Sequence, residues 1–198
     1  MLHSKQLTQK QKPIPSALAG YTVLELILVM IIVGVVSAIA APGWLRFVNV
    51  QRLNTAQSQI YQAMHAAKSN ALLEKRTWQV SIREVNEQVQ WAVHQADTDF
   101  IPPGVQWHNL NQEIQVDMEK NDQDVYETTL DSPGRKTITG PWRVQFNYKG
   151  NTNGQLGQIT LIPKDNSQIQ RCVYVSTLIG TLRMGEDNDK PRDKKYCY

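Results

Sequence analysis

The sequence predicts an α+β fold: a long N-terminal helix, with a membrane half and an amphipathic half, packed on an antiparallel β-sheet domain. Three observations carry this expectation. Residues 26–45 form a run of twenty without a charge, in which Ser37 is the one plainly polar side chain. Beyond Pro42, the apolar residues Leu53, Ala56, Ile60, Ala63, Met64, Ala67, Ala71 and Leu72 recur at three- and four-residue steps, the period of a helix with one buried face. From Thr77 onward the period changes to two, as half-buried strands require.

A length of 198 residues fits one ordinary domain with an added segment and leaves little room for a multidomain enzyme. With 41% apolar and 20% charged residues, the chain is too apolar for wholesale disorder. The net charge of +3 is local: Lys5, Lys10 and Lys12 lie in residues 1–20, which carry no acid, and the remaining 18 bases balance 18 acids. The body of the protein therefore has no globally basic surface for nucleic acid.

A short basic stretch before an apolar run can be a secretory signal or a membrane anchor, and the position of the cut distinguishes them. Ala38-Ile39-Ala40 before Ala41 satisfies the small-residue preference of a secretory peptidase, and cleavage after Ala40 would leave a soluble secreted β protein. The competing cut lies after Gly20 and keeps the apolar helix. Glu25 favours the second. A charge in hydrocarbon costs about 2.5–3.5 kcal/mol at mid-bilayer and less near an end, so it calls for a partner or a function that a discarded signal does not have.

The string Gly20-Tyr21-Thr22-Val23-Leu24-Glu25-Leu26-Ile27-Leu28-Val29-Met30-Ile31 resembles the class III signal of type IV pilins and pseudopilins. That signal is a basic leader ending in Gly, an aromatic first mature residue, Glu four residues beyond it and an apolar helix; Tyr21 stands where Phe is commoner. The resemblance implies that Gly20 precedes the bond cut by prepilin peptidase and that Tyr21 becomes an N-methylated N-terminus. It also implies that Glu25 faces the ammonium of a neighbouring subunit during assembly. Both charges are costly in an apolar interior and offset each other at hydrogen-bonding distance, which selects the correct axial register. Gly34 and Pro42 interrupt the apolar run with residues that weaken or kink helices, and are candidate hinge positions.

The organisation expected is a cleaved leader at 1–20, a transmembrane and assembly half of the helix at 21–45, its amphipathic half at 46–76, and a β domain with a C-terminal tail at 77–198. The Met and Ala stripe of the amphipathic half reads as core, with Arg52, Gln57, Gln59, Gln62 and Lys68 mainly on the other side. Strands are expected at 78–83, 89–94, 113–118, 142–148, 158–162 and 171–176. The turn-rich segments 102–104, 132–134 and 150–154 separate them. Arg143-Val144-Gln145-Phe146 with Gly150, and the run from Cys172 to Arg183, are similar to late segments of the minor pseudopilin H and of FimT-like or FimU-like minor pilins. Residues 95–140 have no such match.

Some FimT-like proteins are associated with DNA uptake through a C-terminal Gly-Arg-x-Arg stretch. The string here is Gly180-Thr181-Leu182-Arg183, which lacks the first Arg. Arg171 and Arg183 are the candidate phosphate contacts of a DNA-binding tip subunit. Against this, residues 186–195 hold four acids and four bases, the composition of a solvated mixed-charge tail. Cys172 and Cys197 are the only cysteines; an exported body meets an oxidising compartment that would pair them, and otherwise they are free thiols. No His or Cys cluster suits zinc, Asp187-Asn188-Asp189 lacks the rest of a calcium loop, and no catalytic motif or cofactor loop is present, so neither enzyme activity, metal nor cofactor is expected.

The resemblance thus implies a structural subunit of a bacterial type IV pilus or type II secretion pseudopilus, at or near its tip as an assembly primer. The leader lysines agree with a cytoplasmic N-terminus, an inner-membrane span and a β domain outside. The implied partners are other pilins or pseudopilins, prepilin peptidase, an inner-membrane assembly platform and the membrane itself.

Overall fold

The computed structural model describes residues 21–131, 140–154, 156–165 and 169–198. Gly20 and the turn expected at 132–134 lie outside them. The described elements are one helix, α1 (Val23–Glu74), and the strands β1 (Trp78–Val85), β2 (Gln88–Gln95), β3 (His108–Asn109), β4 (Ile114–Val116), β5 (Trp142–Phe146), β6 (Gln158–Pro163), β7 (Arg171–Val175), β8 (Leu182–Arg192) and β9 (Lys195–Cys197). The chain divides into two compact units, Met1–Gly43 and Trp44–Tyr198, and α1 contributes to both.

In the second unit, α1 is packed on two antiparallel sheets, ordered β3-β2-β1-β5 and β4-β6-β7-β8-β9. The helical stripe is the reason. Leu53, Ala56, Ile60, Ala63, Met64, Ala67 and Ala71 are all buried, in one cluster with Val80, Ile82, Val144 and Phe146 of the first sheet and Ile114, Ile159, Leu161 and Val173 of the second. The alanines allow close approach of strands to the helix, and Ile60 and Met64 fill the space between. Leu72, expected on this stripe, lies at its exposed margin. The helix stops where Lys75 takes a left-handed conformation at φ 56°, the position a glycine usually occupies.

The first sheet starts with a tight hairpin: Val85 pairs with Gln88, and Asn86 and Glu87 both have positive φ, matching the twist of the flanking strands. Its inner face follows the expected alternation, but Gln79 and Ser81 on the opposite face are fully buried as well. Gln79 Nε2 donates to Ser81 Oγ and to the Phe100 carbonyl, and Gln145 Nε2 donates to Gln79 Oε1, all within 2.6–2.7 Å. Burial of that polar face is tolerated because its groups satisfy one another across strands.

The mixed-charge residues 186–195 are solvated as expected, but they form a hairpin where a tail was expected. Leu182–Arg192 is a long strand, and Lys195–Cys197 folds back on it across a two-residue turn in which Asp193 and Lys194 have φ of 51° and 66°. The mixed charges lie on a hairpin whose main chain is paired, so composition alone gave no warning of it. A disulfide joins Cys172 to Cys197 and pins this hairpin to β7. Gly185, opposite Cys172 in the ladder, is where the hairpin passes closest: a Cβ there would lie 2.9 Å from Cys172 Sγ and 2.8 Å from the Tyr198 main chain.

Candidate functional site

The segment Tyr21–Thr22 and the first turns of α1 hold the residues singled out for processing and assembly. Thr22 is the N-cap. Its Oγ1 accepts from the Glu25 amide at 3.2 Å, and its carbonyl accepts from the Leu26 amide at 3.2 Å. Thr22 and Glu25 therefore have capping-box spacing, and a carboxylate in the first helical turn faces the positive end of the helix dipole. The Thr-x-x-Glu spacing was readable in the sequence as a helix start, a second role for Glu25 beside a charged partner. Among the described residues Glu25 has no ion pair, and Tyr21 is 83% exposed.

From Val23 to Ala40 none of the helix is buried, and the stretch is long and apolar enough to cross a membrane. Eighteen residues at 1.5 Å each give about 27 Å, close to the roughly 30 Å of a bilayer hydrocarbon core. A bare apolar cylinder of this size is far beyond what a soluble surface carries without a partner. Gly34 lies within α1, and nothing comes within 4 Å of where its Cβ would be. Position 42 is helical too, so α1 continues through both candidate hinge residues.

Further along, α1 becomes the stem of the β domain through polar side chains, two of which, Gln57 and Lys68, periodicity placed on the outer side. Asn49 Nδ2 donates to both carboxylate oxygens of Asp165 at 3.1 Å. Gln57, expected on the outer side, is buried; its Nε2 donates to the carbonyls of Cys172 at 2.8 Å and Gly185 at 2.7 Å. One primary amide supplies the two donors needed. Lys68 Nζ donates to the Ile179 and Gly180 carbonyls at 3.2 and 2.8 Å. The hairpin at the C-terminus has a matching anchor in Glu127, a fully buried carboxylate that accepts from Asn121 Nδ2, Gln158 Nε2 and the Tyr196 amide. Burial pulls the Lys195 ammonium below the usual lysine range, and Glu127 partly opposes this.

Arg171 does not present its charge to solvent. Its side chain is 12% exposed, its Nη1 reaches Asp187 Oδ1 at 2.5 Å, its Nη2 lies 3.7 Å from Glu186, and its Nε donates to Asn54. Arg183 is exposed and pairs in register with Tyr174, whereas Arg171 pairs with Glu186; the two are not gathered into one cationic surface. Asp187 is occupied by Arg171, and Asn188 Nδ2 donates to the Glu186 carbonyl at 2.8 Å. Among the described residues, no three His, Cys, Asp or Glu side chains converge as a metal site would need.

The chain is similar in structure to the type IV minor pilin FimU of Pseudomonas aeruginosa, at 12% identity and a TM-score of 0.46, over 70% of this chain and 91% of that one. Two structures of the minor pseudopilin EpsH, from the type II secretion system of Vibrio cholerae, are similar at TM-scores of 0.42 and 0.39. Their identities are 15% and 18%, over 67% and 69% of this chain and 95% and 94% of theirs. No protein-family model and no curated protein matches the sequence.

Proposed function

We propose that this chain is a minor pilin or pseudopilin, a structural subunit that assembles through α1 into a type IV pilus or a type II secretion pseudopilus. The observation that carries the reading is the bare apolar helix Val23–Ala40, which follows Gly20-Tyr21 and bears Glu25 in its capped first turn. An apolar helix exposed all round needs a bilayer before assembly and other helices after it, and the same segment serves both. Prepilin peptidase would cut after Gly20, Tyr21 would become the methylated N-terminus, and Glu25 would pair with the ammonium of a neighbour in the filament. Gly34 and Pro42 would give the helix room to adapt as it leaves lipid. The β domain would lie outside the inner membrane, where Cys172 and Cys197 oxidise, and the subunit would sit at or near the tip as a primer of assembly.

The test is the intact mass and N-terminal sequence of the mature protein isolated from its native membrane. The expected start is Tyr21 with one added methyl. A start at Ala41 overturns the reading and leaves a secreted β protein. The competing DNA-uptake role is disfavoured by the pairing of Arg171 with Asp187 and Glu186, which removes one of its two candidate phosphate contacts.

A further inference from the structure

Between the apolar span and the β domain lies a short stretch that neither absorbs. Trp44 is 67% exposed and Phe47 53%, their rings 5.9 Å apart, with Leu45 and Arg46 exposed beside them. Among the described residues both rings stay more than half exposed, although the helix is built into the core from Leu53 onward. Two limits fix the medium they occupy. On one side the membrane-competent window ends at Ala40, four residues before Trp44 in the sequence. On the other, Asn49 is hydrogen-bonded to Asp165 of the segment after β6, and Phe47 shares a groove of about 430 Å³ with Gln51, Asn109 and Asn111. From Asn49 on, the helix is clad in a polar domain that hydrocarbon would not accept.

We propose that Trp44, Arg46 and Phe47 form an interfacial lipid anchor that sets the depth of the subunit in the bilayer before assembly. The proposal rests on the reading of Val23–Ala40 as a bilayer-spanning segment. An indole combines a large apolar face with one N–H donor, and so favours the level where acyl chains meet headgroups. The Phe47 ring on the adjoining turn adds apolar area, and the Arg46 stem can lie along acyl chains while its guanidinium stays among phosphates. The Asn49–Asp165 contact then acts as a stop, because deeper insertion would drag the loop after β6 into the headgroups.

The full-length chain reconstituted into phosphatidylcholine–phosphatidylglycerol vesicles tests this by tryptophan quenching. The lipid is brominated either near the headgroup or near the chain end. The signal of Trp44 is the difference between the native chain and Trp44→Phe, since the other four tryptophans are common to both. The expected result is a blue-shifted Trp44 emission that shallow bromines quench more than deep ones. Stronger quenching by deep bromines, or none by either while the protein floats with the vesicles, overturns the anchor and leaves the membrane span intact. Failure to float overturns the span and the anchor together.

Discussion

The two stretches of α1 on either side of residue 48 solve opposite problems with the same backbone. Between Val23 and Ala40 every side chain is apolar or small apart from Glu25 and Ser37, and none is buried. Between Leu53 and Ala71 one face is apolar, and all of it is buried against two sheets. The bare stretch buries no side chain among the described residues. The clad stretch is the reverse. Hydrophobicity in this chain is thus of two kinds, one satisfied by burial within the molecule and one left exposed.

The largest effect that would sharpen this contrast comes from Glu25→Ala. If the carboxylate pairs with a neighbour's ammonium, losing it strands a buried charge at about 3–5 kcal/mol, a loss of more than about a hundredfold in docking. Incorporation into filaments, read by immunoblot of sheared pili or pseudopili, should collapse while the thermal midpoint of the β domain is unchanged. Equal incorporation of the variant would reduce Glu25 to a carboxylate that complements the helix dipole in the first turn.

The next effect compares equivalent truncations on the two stretches. Met64→Ala removes a fully buried side chain from the central cluster and should cost about 2–5 kcal/mol in urea unfolding, depending on how far the sheets collapse into the space. Ile32→Ala, on the bare stretch, should change that value by less than about 0.5 kcal/mol in detergent. A large loss from Ile32→Ala would mean that the bare stretch helps to hold the β domain, contrary to the comparison. Smaller again is the disulfide: Cys172→Ser with Cys197→Ser frees a loop closed at a separation of 25 residues and should cost about 2–4 kcal/mol. Reduction of the native protein should give the same shift in midpoint.

How much of this was legible depended on whether the signal was local. The apolar run announces itself by its unbroken length, the stripe from Leu53 to Ala71 by its helical period, and β1, β2 and β5 by alternation, although the polar face of β1 is buried as well and β6 is buried at every position. Thr22 was equally local, since its cap is written in the three-residue spacing to Glu25. The last hairpin was not. Its strands alternate charges instead of apolar residues, Pro191 interrupts β8, and Asp-Lys turns the chain where Asn-Gly would have advertised it. Gln57 and Glu127 were hidden for a different reason: each is buried among partners from remote parts of the chain, such as Gly185 and Tyr196, and no window of sequence contains both ends of those bonds.

The smallest predicted effect probes the polar side of the clad stretch's own domain. Asp117 lies behind β4, where burial pushes its carboxyl above the ordinary carboxylate range; Glu127 and Glu119 push it further, and the hydrogen bond from the Glu119 amide pulls it down. A carboxyl whose folded affinity for protons exceeds its unfolded one stabilises the protein below the unfolded pKa, and that stability is lost as pH rises through the folded value. Asp117→Asn should remove this pH-dependent part of the urea midpoint. It should also gain up to about 1 kcal/mol at neutral pH, because an amide has no charge to desolvate. The bond from the Glu119 amide to Asp117 Oδ1, at 3.2 Å, can be kept by the carbonyl oxygen of the substituted side chain, whereas Gln170 Nε2, which donates to Asp117 Oδ2 at 3.3 Å, would have to turn over to meet its amide. A less stable variant at neutral pH would show that the carboxylate's bonds to Gln170 and the Glu119 amide outweigh its burial. The segment that follows β4 would then be held by its buried carboxylate and not in spite of it.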